Sequence, residues 1–101
     1  MRKRIESRRF GTTIKFRVGN LVYYGTVNTG ENDQPMEVFL TVGKPGSDAH
    51  TLARDVGIIV SLLLQYGCPI SHIQSALTRD SSGKPDGPLG ILLDLYTESK
   101  S

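Results

Sequence analysis

From Thr12 to Val18 apolar and polar residues alternate, with Ile14, Phe16 and Val18 on one side and Lys15 and Arg17 on the other. A period of two predicts a half-buried strand. Gly19-Asn20 is a two-residue turn signal, because both residue types tolerate positive φ. The return segment, 21–28, is rich in β-formers (Val22, Tyr23, Tyr24, Thr26, Val27), and Gly25 within it predicts a bulge or a close backbone approach. A polar loop, 29–35, precedes a third strand on which Met36, Val38, Leu40 and Val42 share a face. Short connections imply an antiparallel meander.

Beyond Gly43-Lys44-Pro45-Gly46 the pattern becomes helical and stays so. A long helix is expected from Ser47 to Tyr66, stopped by Gly67-Cys68-Pro69. Leu52, Val56, Ile59, Leu63 and Tyr66 form one stripe; Ala49, Ala53, Val60 and Leu64 widen it, and Ile58 and Leu62 occupy much of the rest. A second helix is expected over 71–78, where Ser71 and Gln74 have capping-box spacing. A third, short one is expected with Asp86 as N-cap, Pro88 in its first turn, and Leu89, Leu92, Leu93, Leu95 and Tyr96 as apolar positions. The fold class is therefore α+β: a three-stranded antiparallel meander followed by one long buried helix and two shorter helices. The long helix should fill the sheet's apolar face and still have apolar surface left. Burying a Leu or Ile is worth roughly 1.5–3 kcal/mol. Self-association through the second half of this helix, as a dimer or higher oligomer, is the expected outlet. Cover from the two later helices is the alternative.

Composition narrows the class. At 101 residues, 38% hydrophobic and 22% charged, the chain fits one globular domain. Its apolar runs, Ile58–Val60 and Leu62–Leu64, fall far short of the roughly 20 residues that span a bilayer. One cysteine, Cys68, excludes an intrachain disulfide and a cysteine-rich zinc site. With no apolar segment behind Arg2-Lys3-Arg4 to make a secretory signal, a cytoplasmic location is expected. Residues 1–9 carry Arg2, Lys3, Arg4, Arg8 and Arg9 against Glu6, so a basic arm of +4 precedes a body of −2 in a chain of net charge +2. The arm, 1–9, is read apart from the domain, 10–101. It reads either as a solvated terminus or as a contact for an acidic surface or phosphates. No motif for base-specific nucleic-acid readout follows it.

Four segments in order, Glu37-Val38-Phe39, Lys44-x-Gly46-Ser47, Leu64-Gln65-Tyr66-Gly67-Cys68-Pro69 and Gly87-Pro88-Leu89-Gly90, resemble the TSCPD domain over most of residues 8–96. The Arg8-Arg9 lead-in is also similar. That domain occurs at the C-terminal end of adenosylcobalamin-dependent ribonucleotide reductases and in small stand-alone proteins. The resemblance implies a non-catalytic accessory or binding protein linked to nucleotide metabolism, which engages a phosphorylated small molecule or a reductase-like partner. One departure matters. Where the family motif has a cysteine before Pro-Asp, this chain reads Gly83-Lys84-Pro85-Asp86, so a role carried by that thiol does not transfer.

The candidate ligand site is Lys44, Gly46 and Ser47 at the start of the long helix, with Arg54 about two turns on and Arg79. Free backbone N–H groups, a dipole's positive end and cations are how helices hold phosphate. Against it, Asp48 partly satisfies the same dipole, and the spacing is not that of a P-loop. The plain alternative is an N-cap serine. Arg54-Asp55 and Arg79-Asp80 could equally pair with one another structurally. His50, His72 and Cys68 lack metal-ligand spacing, and Cys68 sits at a helix C-terminus, where the dipole disfavours a thiolate. Tyr23, Tyr24, Phe39 and Tyr66 are expected to be core residues rather than base-stacking platforms. No nucleophile–base–orienter set is visible, so neither catalysis, a metal nor a cofactor is expected. The alternative functions are a nucleotide-sequestering protein of the kind phages use, and a pure protein-interaction module.

Overall fold

The computed structural model describes residues 10–43 and 45–100. The expected basic arm, 1–9, and Lys44 lie outside them. Three strands, β1 (Phe10–Val18), β2 (Leu21–Thr29) and β3 (Pro35–Val42), form an antiparallel sheet in the order β1-β2-β3. Helices α1 (Asp48–Gln65), α2 (Ile70–Ala76) and α3 (Pro88–Lys100) follow. The α+β meander-then-helices architecture is the one the sequence pattern predicts.

Val18 pairs with Leu21 across the hairpin, and of the two turn residues only Gly19 takes positive φ, at 59°. Phe16 lies opposite Tyr23, and their rings stack with centroids 5.5 Å apart. Met36, Val38, Leu40 and Val42 are all buried, as a period of two requires.

Helix α3 covers the sheet over β1 and β2, while α1 packs along β3 and adds Ala53, Val60 and Leu64 to the same core. Leu92 and Leu93 are fully buried, and Leu89 and Tyr96 join them in the core at helical spacing. Gly25 explains itself here: a Cβ at that position would lie 2.5 Å from Leu92 Cδ1, so the glycine admits the helix. Sequence periodicity cannot tell which of two apolar helices takes the sheet face, and the longer one looked the better candidate.

The long helix does something else. Gly57, Ser61 and Gln65 recur every four residues and lie along the outer edge of β3. An ideal Cβ on Gly57 would sit 2.9 Å from the carbonyl oxygen of Val38. The Ser61 hydroxyl accepts from Val38 N–H at 2.9 Å, and its single proton is within reach of the carbonyls of Gly57 (2.7 Å) and Val38 (3.2 Å). Gln65 Nε2 donates to the carbonyl of Met36 at 3.1 Å. An edge strand exposes backbone groups that would otherwise pair with another chain or with water. Here helix side chains take them.

Burial of α1 is consequently one-sided. Ala53, Gly57, Val60, Leu64 and Gln65 are buried, whereas the stripe expected to pack, Leu52, Ile59, Leu63 and Tyr66, is exposed, with Val56 half-buried. A Schellman stop ends the helix: Cys68 N–H reaches Leu63 C=O, Gly67 N–H reaches Leu64 C=O, and Gly67 has φ +95°. Two expected caps move. Ser71 lies inside α2, whose N-cap is Pro69, and Gln74 donates instead to Asp94 and Thr97. Helix α3 begins at Pro88, so Gly87 rather than Asp86 supplies the first carbonyl, to Ile91 N–H at 3.1 Å.

Substituting Gly57→Ala should destabilise the fold by about 1–3 kcal/mol in urea titration, although alanine is the better helix former by about 1 kcal/mol. The offending contact is a backbone carbonyl that cannot rotate away. Ser61→Ala should cost about 1–3 kcal/mol by leaving the Val38 amide without its acceptor. An unchanged midpoint for both variants would mean the edge is not sealed in this way.

Candidate functional site

At the front of α1, Gly43 (φ +63°) and Gly46 (φ +89°) bend the chain from β3 into the helix. Ser47 is the N-cap: its hydroxyl accepts from His50 N–H at 3.2 Å and its carbonyl from Thr51 N–H at 3.0 Å. Asp48 stands in the first turn. Arg54 is exposed and, among the described residues, makes no ion pair. It lines a trough of about 270 Å³ between α1 and the outer face of β3, with His50, Phe39, Thr41, Ile58 and Leu62. Ser47 and Arg54 lie on the same side of the helix but about 10 Å apart along its axis. A lone phosphate at the helix start would not meet both; an elongated anion could.

Arg79 is engaged elsewhere, in the loop between α2 and α3. Its two terminal nitrogens hold Asp94 at 2.9 and 3.1 Å, and also donate to the carbonyls of Gly83 (3.0 Å) and Gln74 (3.3 Å). Gln74 donates to the same carboxylate at 3.0 Å. The Arg79 hydrogen bond, helped by Gln74 and by charge, holds the Asp94 carboxyl below its ordinary value against the opposing effect of burial. Asp80 is likewise held low, by the Ser82 hydroxyl and by the Lys84 and Ser82 amides. The two Arg-Asp dipeptides therefore do not pair with each other: Arg79 ties α2 to α3, and Asp80 closes the loop. Arg79 is not among the residues that line the Arg54 trough.

A second concavity was not foreseen. A cleft of about 490 Å³ lies between α1 (Val56, Ile59, Leu63), α2 (Ile73, Ala76) and the first turn of α3 (Leu89). Its walls are almost wholly apolar. His72 and Cys68 border it, whereas His50 lies at the trough, so the three do not converge. Among the described residues no group of three or more His, Cys, Asp or Glu side chains could hold a metal. Nor, among them, is any helix long and apolar enough to cross a membrane. The expected core aromatics also divide: Tyr23 is buried, but Tyr24, Phe39 and Tyr66 are each about half exposed or more. The cleft depends on where α2 and α3 land, which no single-helix pattern contains.

The sequence profile of the TSCPD domain matches residues 2–95. The chain belongs to the TSCPD domain family. Curated relatives of this TSCPD domain include the vitamin B12-dependent ribonucleotide reductase of Streptomyces clavuligerus, 36% identical over 91 residues, which are 87% of this chain and 10% of that protein. The enzyme of the same name from Streptomyces coelicolor is also 36% identical over 87% of this chain and 9% of its own length. That from Bradyrhizobium diazoefficiens is 34% identical over 87% and 7% respectively. The domain thus spans about a tenth or less of these three relatives. No solved structure matches it significantly. In the Gly83-Lys84-Pro85-Asp86 segment Lys84 is exposed, and its amide donates to Asp80 Oδ1 at 3.0 Å, so a carboxylate closes the turn.

Because the folded carboxyl of Asp94 titrates below the unfolded one, near 3.9, its contribution to stability is complete above that value and is lost as pH falls through the lowered one. Asp94→Asn should therefore melt below the wild type at neutral pH, and the gap should close as the pH is taken below about 3.9. A gap independent of pH would show that the carboxylate charge is not what holds Arg79.

Proposed function

We propose that this TSCPD-domain chain is a non-catalytic accessory module linked to nucleotide metabolism, which works by docking on a protein of the ribonucleotide reductase type. The observation that carries this reading is the apolar cleft between α1, α2 and α3, rimmed by exposed Ile59 and Leu63. Its walls offer a partner's aliphatic or aromatic side chain desolvation, and offer a phosphate nothing. The relatives are consistent with such a partner, since the matching region in each is a small part of a large reductase.

A reductase of the Streptomyces type, lacking its own copy of the matching region, supplies the probe. Calorimetric titration should give saturable 1:1 binding, and Ala76→Glu, an exposed change that puts a charge on the cleft wall, should weaken it at least tenfold. Absence of heat and of co-migration at about 100 μM, weaker than any functional docking expected of such a cleft, would sink the reading.

One observation favours a second reading, the binding of a phosphorylated small molecule such as a nucleotide. Arg54 stands exposed beside the trough without an ion pair among the described residues, on the same side of α1 as the Gly46-Ser47 turn. Lys44 and Arg79 were the other cations expected there, and Arg79 already holds Asp94. Nucleoside mono-, di- and triphosphates should then raise the melting temperature of the wild type and not of Arg54→Ala. A ligand recovered unchanged after heat denaturation would point to sequestration, and a converted one to catalysis.

A further inference from the structure

Along the outward side of α1, Asp55, Ile59, Leu62 and Tyr66 recur at i, i+4, i+7 and i+11. At about 100° per residue the four lie within a narrow strip opposite Gly57, Val60 and Leu64. Ile59 is 60% exposed, Leu62 38% and Tyr66 64%, and Asp55 is exposed too. This alternation of four and three is the spacing of a seam that packs on another helix. Leu52, Ile58 and Leu63 flank it, all exposed. A helix apolar almost all round belongs inside an assembly rather than at its surface.

We propose that this seam binds the same seam of a second copy of the chain, antiparallel about a two-fold axis level with the Val60–Ser61 peptide. The order of residues selects that occupant. Read backwards, the strip is Tyr66, Leu62, Ile59, Asp55, so each position meets its complement in an antiparallel pair. Ile59 packs on Leu62 across the axis, and the Asp55 carboxylate faces the Tyr66 hydroxyl, an acceptor opposite a donor. A parallel pair would instead set Asp55 against Asp55, two like charges in a desolvating contact. The exposed apolar side chains on α1 amount to roughly 500–600 Å² per chain, the upper end of what a monomer exposes. That is most of the about 800 Å² per partner found in stable complexes. Two-fold pairing is also the assembly that closes on itself without propagating. The inference stands apart from the reductase reading at Leu62 and Tyr66, which do not line the cleft, whereas Ile59 and the flanking Leu63 are common to both.

Sedimentation equilibrium on the full chain should give a dimer. Leu62→Glu, a change at a surface position, should give a monomer with unaltered circular dichroism and unaltered affinity for the truncated reductase. Tyr66→Phe should weaken the dimer about tenfold. Register is read in a Cys68→Ala background by mixing chains that carry Asp55→Cys with chains that carry Tyr66→Cys. The mixture should cross-link on mild oxidation, whereas each variant alone should not, because its own thiols would lie about 16 Å apart along the paired helices against the roughly 7 Å limit for a disulfide. A monomer at about 100 μM, a dimer that survives Leu62→Glu, or cross-linking of Asp55→Cys with itself would each overturn the proposal.

Discussion

Among the described residues the outer edge of β3 pairs with no fourth strand, so its outward-facing amides and carbonyls need partners from elsewhere in the chain. Helix α1 supplies them from a stripe of small and polar residues at four-residue spacing. Gly57 lets the helix approach, Ser61 both accepts from and donates toward the strand, and Gln65 reaches the next carbonyl along. A helix bound in this way cannot also lie across the sheet. It stands beside β3 with one side spent on the edge and its opposite side turned to solvent. The sheet face over β1 and β2 is thereby left to α3, whose Leu92 approaches β2 so closely that a Cβ at position 25 would force that side chain to shift. The same arrangement opens the cleft, since α2 and the start of α3 meet α1 on one flank only.

Much of this was legible in the residues. Alternation in β1 and β3, the two-residue hairpin and the glycine stop of α1 each follow from a local rule, and each stands where the rule puts it. The meander-then-helices order follows from them. What was not legible is the choice between two apolar helices for one sheet face. Hydrophobic counting favours α1, because Ile58, Ile59, Leu62 and Leu63 are all greasy. The deciding residues are the inconspicuous ones, Gly57, Ser61 and Gln65, whose value appears only when an unpaired strand edge lies beside them. Capping arguments failed for a related reason. Ser71 and Gln74 have the right spacing, but the Gln74 amide is drawn into the Asp94 cluster, whose existence depends on where α3 packs.

The candidate site was legible in part. The strand–glycine–serine–helix sequence does form a capped helix start, and Arg54 does stand exposed on the same side of the helix. Arg79 was assigned by residue type alone, and its two-pronged hold on Asp94 shows why an arginine in a polar loop needs its neighbours before it can be given a ligand. The cleft, which carries the functional reading, had no sequence signature at all. It is built from three helices whose individual patterns are ordinary. Membership of the TSCPD family places the chain beside large reductases of which it matches a small fraction, so what it does has to be argued from its own surfaces. The cleft and the outward strip of α1 are the apolar ones among them.

The close fit of Leu92 against Gly25 has a bearing on how the protein is made. Strands β1 and β2 leave the ribosome long before the helix that covers them, and until α3 emerges their inner face has no lid. Between the emergence of α1 and that of α3 the nascent chain therefore carries a sheet whose far edge is guarded and whose greasy face is not. Holdase chaperones recognise that kind of intermediate. Any alteration that delays or weakens α3 would be felt first as aggregation during translation, rather than as a loosened mature fold.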